Sequence, residues 1–178
     1  QYLIMATQKG TIKKTVLAAY GNVRKGGINA INLAPGDSLI EVKMTDGKND
    51  IVIGTSNGFA IRFNEKDVRD MGRTATGVRG VRLGKGDHVV GLLVIRNDQT
   101  TVLVVTEKGY GKRSDINDYR ITKRGGKGVI TVKTTDKVGK LIAMMEVVDR
   151  DELVIISTQG MVIRQSVKDL RVMGRNTQ

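Results

Sequence analysis

One pattern occurs four times in the 178 residues of this chain and constrains its fold more than any other feature. Each copy has a short apolar run, a Thr or Ser, two polar residues, a glycine and, four residues later, a basic residue. The glycines are Gly10, Gly58, Gly109 and Gly160, which are 48, 51 and 51 residues apart. A period near fifty is typical of proteins built from repeated structural units. The pattern therefore predicts four equivalent units, each with a turn at its glycine.

Two series of basic residues follow the glycines in register. The members at four residues past each glycine are Lys14, Arg62, Arg113 and Arg164. The members at fifteen residues past each glycine are Lys25, Arg73, Arg124 and Arg175. A surface that only needs to be soluble does not require its cations in a fixed register. We therefore expect both series to lie along one continuous outer surface of successive repeats.

The net charge of +12 and the pI of about 10.1 predict an anionic partner. The charge alternates along the chain: segments 11–34, 58–84, 109–135 and 160–178 carry +4, +3, +5 and +3, and the segments between them carry −2, 0 and −2. Aromatic residues make up only 3%, which disfavours a single-stranded nucleic acid bound by base stacking. The absence of cysteine excludes disulfides and thiolate metal sites and fits a reducing cytosol. No apolar stretch has the length of a membrane span, so no membrane partner is expected.

The apolar runs are rich in Val, Ile and Thr and are separated by glycine-containing turns, which predicts about four short strands per repeat. No segment of twelve residues has a convincing helical period. The sequence therefore predicts an all-β, propeller-like array of four-stranded blades at residues 2–50, 51–100 and 101–151, with an incomplete blade at 152–178. Because the last motif, RVMGRNTQ, matches RDMGRTAT in the middle of the second repeat, we expect a partial ring and a parent protein that continues.

A glycine-rich basic loop in the third repeat is the sharpest local signal. It consists of Thr122, Lys123, Arg124, Gly125, Gly126, Lys127 and Gly128. Two adjacent glycines allow a tight turn, and its backbone amides and cations can converge on a phosphate. Shorter copies lie at 24–27 and 72–80.

The segment GYGKRSDINDYRITKRGGKGV (109–129) resembles the region around the glycine-rich basic box in the C-terminal domain of the DNA gyrase A protein. Residues 4–15, 77–87 and 173–178 are similar to the later blades of that family. The resemblance covers essentially the whole chain and implies a β-pinwheel, a propeller-like ring of about six blades that exchange strands. Because Thr122 stands where the family's box begins with Gln, the loop resembles a secondary box. The full box, on which supercoiling depends in this family, would lie outside the sequence.

The resemblance implies a cytoplasmic, nucleoid-associated bacterial module that wraps double-stranded DNA around a basic rim. It would support ATP-dependent negative supercoiling together with the rest of gyrase A and, through it, gyrase B. ATP and magnesium are implied only for the rest of that enzyme, and we expect no cofactor, metal or catalytic residue in this chain. The expected DNA contacts are Lys14, Lys25, Arg62, Arg69, Arg73, Arg79, Arg82, Arg113, Arg120, Lys123, Arg124, Lys127, Arg164, Arg171 and Arg175.

Some of these cations could instead pair with nearby carboxylates and hold the loops. The candidate partners are Asp67, Asp70, Asp115, Asp118 and Asp169. Tyr119 occupies an apolar position of the repeat, and we expect it in the core, as we do Met144 and Met145. Two further functions stay open: the corresponding domain of topoisomerase IV, whose boxes are usually more eroded, and a propeller scaffold that binds an acidic protein or RNA.

Overall fold

The computed structural model describes residues 1–177, in which β-strands alternate with turns and four short 3₁₀ helices. Gln178, the last residue of the MGRNTQ motif, lies outside the described residues. The strands are β1 (Tyr2–Thr7), β2 (Thr11–Val16), β3 (Leu39–Thr45), β4 (Asp50–Thr55), β5 (Phe59–Asn64), β6 (Val78–Arg79), β7 (Val89–Ile95), β8 (Thr101–Thr106), β9 (Gly111–Asp115), β10 (Val129–Ile130), β11 (Leu141–Val147), β12 (Glu152–Ile156) and β13 (Val162–Ser166). The 3₁₀ helices are Leu17–Tyr20, Glu65–Asp67, Ile116–Asp118 and Val167–Asp169.

The strands form antiparallel sheets, one for each repeat. The first two sheets have four strands, in the orders β3-β1-β2-β6 and β7-β4-β5-β10. The third sheet is β11-β8-β9, and the fourth repeat contributes the hairpin β12-β13. The prediction of an all-β, propeller-like array is confirmed, and four strands per blade holds for the first two sheets of the described chain.

Each four-stranded sheet takes its last strand from the following repeat. The two-residue strand β6 belongs to the second repeat but pairs with β2 of the first, and β10 of the third repeat pairs with β5 of the second. Strands are therefore exchanged between neighbours, as the resemblance implied. Each exchanged strand belongs to one repeat in sequence but to the sheet of the preceding repeat by its hydrogen bonds, so it links successive sheets.

The hairpin glycines have a physical reason to recur. Gly10, Gly58, Gly109 and Gly160 all have φ between 81° and 85°, a left-handed conformation that side chains disfavour. In the second repeat the next repeat packs directly on this turn, since the Gly58 carbonyl oxygen accepts hydrogen bonds from the amides of Thr131 (2.8 Å) and Val132 (3.3 Å). A Cβ at Gly58 would lie 2.1 Å from the Val132 carbonyl oxygen.

Both faces of the central sheet are buried between neighbouring sheets. In β4, Ile51 and Ile53 pack in a core cluster with the first sheet, while Val52 packs in a second cluster with the third. This alternation follows from the two-residue period of a strand. It also separates the two methionines of β11: Met144 is 6% exposed and confirms the core prediction, whereas Met145, on the opposite face, is 39% exposed and the prediction for it is wrong.

Replacing Gly58 by Ala is expected to destabilise the fold more than replacing Gly109 by Ala. Both glycines have a φ of 81°, but a Cβ at Gly109 would meet no heavy atom within 4 Å. The left-handed conformation costs a side chain about 1–2 kcal/mol at either position, and the clash with Val132 adds about 1–3 kcal/mol at Gly58 alone. Urea unfolding of both variants measures the difference. Equal losses would contradict tight packing of the exchanged segment on this turn.

Candidate nucleic-acid interface

Three of the four cations in the first basic series form internal clamps between neighbouring repeats. Arg62 shows the arrangement: Nε and Nη2 donate to the Asp50 carboxylate at 2.9 and 2.8 Å. Its Nη1 donates to the carbonyl oxygen of Ile116 in the following repeat at 2.9 Å. The Arg62 and Asp50 side chains are only 10% and 15% exposed. One guanidinium thus joins two strands of its own sheet to the 3₁₀ helix of the next repeat.

Two other members of the series repeat this role with different partners. Lys14 pairs with Asp70 at 3.1 Å and donates to the Glu65 carbonyl oxygen at 3.2 Å. Arg113 pairs with Asp149 at 2.6 Å and donates to the Leu170 carbonyl oxygen at 2.8 Å. The side chains of both cations are almost fully buried.

The expectation that Lys14, Arg62 and Arg113 lie on an outer surface is therefore wrong. A charge inside the fold needs a charged or carbonyl partner, and each of these positions faces one. Arg164, the fourth member, has a 71% exposed side chain and pairs with Glu152. The first series therefore provides no row of free cations.

The second series lies half-buried at the base of the loops. Arg124 donates from Nε to the Asp67 carbonyl oxygen at 2.8 Å and from Nη1 to the Arg79 carbonyl oxygen at 2.9 Å. Arg175 makes the equivalent bonds to Asp118 and Ile130. Arg73 donates to the Asn29 carbonyl oxygen, and Lys25 is exposed. These arginines hold each loop against the preceding repeat, and part of each side chain still reaches solvent.

The loops that carry the second series run along one edge of each sheet. We call residues 21–34, 69–82, 120–133 and 171–177 the edge segments. Three of them pair in parallel with the preceding repeat through the bridges Lys14–Asp70, Arg62–Ile121 and Arg113–Val172. The outer edges of β2, β5 and β9 are therefore each contacted by the edge segment of the following repeat.

Successive edge segments also bond to one another. The Asn32 amide donates to the Ala75 carbonyl oxygen at 3.4 Å, joining the first segment to the second. The Arg82 amide donates to the Gly126 carbonyl oxygen at 2.8 Å, joining the second to the third. Arg175 donates to Ile130 and joins the fourth to the third. The edge segments therefore form one continuous row.

The row is strongly cationic. Within the described part of the chain the row has one acidic residue, Asp70, and its carboxylate forms an ion pair with the buried Lys14. The exposed cations of the row are Arg24, Lys25, Arg69, Arg79, Arg82, Arg120, Lys123, Lys127, Lys133 and Arg171. Eight of these belong to the predicted site. Arg24 and Lys133 were missed, although Arg24 adjoins a glycine pair and Lys133 is the repeat equivalent of Arg82.

The box-like loop is the most tightly held part of the row. The Thr122 amide donates to the Arg62 carbonyl oxygen at 2.8 Å, and the Gly125 amide donates to the Gly80 carbonyl oxygen at 2.6 Å. At Gly128 a Cβ would lie 2.3 Å from the Ala60 carbonyl oxygen, so only glycine permits this approach. The loop presents Lys123 and Lys127 as exposed cations. Lys123 lies 3.2 Å from Asp67, and Lys127 lies 4.3 Å above the Phe59 ring.

Two buried lysines beneath the row were not predicted as functional. Lys13 and Lys112, three residues past their glycines, are 0% and 7% exposed, where the second and fourth repeats have Ile61 and Ile163. Lys13 donates to the carbonyl oxygens of Ala30 (2.7 Å) and Arg73. Burial, and then the nearby guanidinium of Arg73, lowers the pKa of Lys13 below that of a free lysine. The first and third repeats have a lysine at this position and the second and fourth have an isoleucine. The lysines are therefore not part of the pattern that all four repeats share.

Residues 1–177 contain no group of three or more His, Cys, Asp or Glu side chains that could hold a metal ion. Tyr119 is 1% exposed, and its hydroxyl forms a 2.5 Å hydrogen bond with Thr131. Burial raises the pKa of Tyr119, and the prediction that it packs in the core is confirmed. None of the helices in this part of the chain has the length and apolar character needed to cross a membrane.

Replacing Arg62 by Met is expected to reduce the free energy of unfolding by about 3 kcal/mol, because it leaves the buried Asp50 carboxylate without its partner. Arg164→Met is the matched control at the same repeat position. Its ion pair with Glu152 is exposed, so we expect a loss of about 1 kcal/mol or less. Chemical denaturation of both variants gives the values. A similar loss in the two would rule out a clamp at Arg62.

Comparisons with known proteins agree with this architecture. The family model described as the DNA gyrase C-terminal domain, a β-propeller, matches residues 1–46, 49–96, 100–147 and 151–178. The chain is 47% identical over 178 residues to the DNA gyrase A protein of Haloquadratum walsbyi and 49% identical over 175 residues to that of Ureaplasma parvum. These matches cover 99% and 98% of the chain but 21% of each relative.

Two solved structures have the same fold. The C-terminal domain of DNA topoisomerase IV superposes with a TM-score of 0.93 at 28% identity, covering 99% of this chain and 55% of that one. The DNA gyrase A C-terminal domain superposes with a TM-score of 0.87 at 27% identity, covering 98% and 58%. Because the family model matches nearly the whole chain, repeat by repeat, the chain belongs to the family of DNA gyrase A C-terminal domains.

Proposed function

We propose that this chain binds double-stranded DNA along the edge segments and bends it, as the DNA-wrapping part of a DNA gyrase A protein. The observation that carries the proposal is the continuity of the row. Exposed cations from successive repeats follow one another on segments that are hydrogen-bonded in series. Each repeat thus offers exposed cations to the next stretch of the same partner molecule.

The chemistry of the row suits the phosphate backbone of a duplex. Arg and Lys that neutralise phosphates release bound counterions, which stabilises the complex without reading the base sequence. Smooth bending of a 20–30 bp site by 40–90° costs on the order of 1–6 kcal/mol. A curved series of cationic contacts offsets that cost, as in other proteins that wrap DNA without base-specific contacts.

The rest of the enzyme supplies the remaining steps in this proposal. The chain spans 21% of the length of its relatives, and supercoiling would require the remainder of gyrase A and, through it, gyrase B. DNA cleavage and ATP hydrolysis would take place there, with ATP and magnesium. This chain's own residues would hold the duplex and present it, in the bacterial cytoplasm at the nucleoid.

A role in topoisomerase IV is the second candidate, because the domain of that enzyme superposes with the higher TM-score, 0.93. The curated relatives favour gyrase, because two gyrase A proteins are 47% and 49% identical over almost the whole chain. The identities of the two solved domains do not separate the enzymes, at 28% for topoisomerase IV and 27% for gyrase A. The loop TKRGGKG is also well preserved, which fits gyrase better than a domain whose boxes have eroded.

Removing exposed cations from the row is expected to weaken DNA binding without unfolding the chain. In the triple variant Arg69→Ala, Arg120→Ala and Arg171→Ala, the slope of log affinity against log salt should become less negative by about 3, or about 1 per phosphate contact. The matched control removes three exposed cations outside the row: Lys48→Ala, Arg96→Ala and Arg150→Ala. Fluorescence anisotropy at several salt concentrations measures both slopes. An equal change in the control would show that net charge, not the row, determines binding.

Bending is expected to bring the ends of a bound duplex closer together. Energy transfer between dyes at the two ends of a duplex of about 40 bp should rise when the chain is added, since such a duplex is long enough to follow several contacts. A duplex of about 12 bp should bind more weakly, and so should single-stranded RNA of equal charge. Binding that is independent of duplex length would favour a scaffold for acidic partners. Tight binding without closer ends would favour simple electrostatic adhesion.

A further inference from the structure

Two kinds of edge segment alternate along the row, and each has its own residue beneath it. The segments at 73–76 and 175–177 read RTAT and RNT, whereas the box-like loop reads RGGK. Beneath the first kind lie Lys13 and Lys112, and beneath the box-like loop lies Ile61, whose Cδ1 would be 3.6 Å from a Cβ at Gly126. The buried lysine and the glycine-free loop occur together in both cases.

The buried ammonium groups fix the direction of one peptide unit in each loop. Lys13 donates to the carbonyl oxygen of Arg73, and Lys112 donates to that of Arg175 at 2.5 Å. Residues 1–177 contain no cis peptide bond, and in a trans peptide the N–H points away from the preceding carbonyl oxygen. The amides of Thr74 and Asn176 therefore point away from the lysines, toward solvent.

These two amides take part in none of the hydrogen bonds formed within residues 1–177. The equivalent amide in the box-like loop, that of Gly125, is already bonded to the Gly80 carbonyl oxygen at 2.6 Å. The outward amides therefore belong to the two loops that have a buried lysine beneath them. The equivalent amide of the box-like loop is hydrogen-bonded within the protein.

We propose that Lys13 and Lys112 are positioning residues that turn the Thr74 and Asn176 amides outward as phosphate donors, while the box-like loop uses the side chains of Lys123 and Lys127. The inference deepens the proposed function and rests on it for the identity of the phosphate as that of duplex DNA. Neither lysine touches the phosphate. Each acts through the carbonyl oxygens that it holds.

The surroundings make the Thr74 site the stronger of the two. It borders an open groove of about 520 Å³ whose lining includes Arg24, Asn29 and Arg73 and contains no acidic residue. At the second site Asp118 lines the groove, and its carboxylate accepts a hydrogen bond from the Arg175 amide at 3.2 Å. An anion beside Asn176 would meet that negative charge.

The first test uses the wild-type chain and inorganic phosphate, observed by amide NMR. We expect the Thr74 amide to shift most on titration, Asn176 to shift less because of Asp118, and Gly125 to remain unchanged. This ranking does not depend on DNA binding or on a variant that folds. A Gly125 shift as large as that of Thr74, or an unmoved Thr74, would overturn the proposal.

The second test replaces Lys13 by Met, which keeps the length of the side chain and removes its donor. We expect the phosphate-induced shift at Thr74 to disappear and the affinity for a duplex of about 40 bp to fall about three- to tenfold, through the loss of one hydrogen bond to a charged group. The salt slope should change little, because neither the buried lysine nor the neutral amide replaces a counterion at the phosphate. Lys48→Met, which removes one exposed charge outside the row, should leave the Thr74 shift unchanged. Lys13→Arg, which can still donate to the same carbonyl oxygens, should restore most of it.

The results separate this inference from the function on which it rests. If Lys13→Met abolishes the phosphate shift but the wild-type chain does not bind duplex DNA, the positioning role stands and the proposed partner is wrong. If DNA binds along the row and Lys13→Met leaves both the phosphate-induced shift at Thr74 and the DNA affinity unchanged, the lysine is only structural and the inference fails.

Discussion

The sheets of the first two repeats are each completed by a strand from the next repeat, and the rest of the structure depends on that exchange. The edge segment of one repeat supplies the outer strand of the preceding sheet, as when Val129 and Ile130 pair with β5. The same segment returns hydrogen bonds to the preceding hairpin, where the Gly58 carbonyl oxygen accepts two amides. A four-stranded sheet with two apolar faces cannot be buried alone, so the energetics of the array are those of neighbouring pairs.

The exchange also explains why three of the eight regularly spaced cations are internal. The incoming edge segment has backbone carbonyl oxygens that are not all hydrogen-bonded within that segment. A side chain on the neighbouring strand faces these oxygens. A long cation at that position can bond to them, and Arg62 does so while also pairing with Asp50. Losing Arg62 would leave the Asp50 carboxylate inside the fold without a cation. Removing one partner of a buried ion pair costs more free energy than the intact pair contributes to stability. A structural requirement of this kind can recur from repeat to repeat as regularly as a binding site does, and it does so in the first three repeats.

The sequence predicted the parts of this molecule that depend on local pattern. The glycine period, the strands and the box-like loop follow from turn geometry and from the two-residue alternation of apolar side chains. It did not predict which cations face inward, because the carboxylates that decide this are contributed differently in each repeat. Asp70 comes from the following repeat, whereas Asp50 and Asp149 come from the cation's own. The fixed spacing of the first series therefore indicated that its members share a role. It did not indicate whether that role is to bind DNA or to hold neighbouring repeats together.

Under the proposed function, fixed distances between the cationic loops suit a partner that has to bend in order to contact all of them. Because the second and third edge segments are each bonded both to the preceding sheet and to the next segment, the distances between successive cationic loops are set by the fold. Flexible cations would follow a straight duplex and leave it straight. Under the proposed function, cations on loops such as the one around Gly125, which is held by backbone hydrogen bonds, would be satisfied together by a duplex that follows the row. The deformation of the DNA would then be offset by contacts that a straight duplex cannot make.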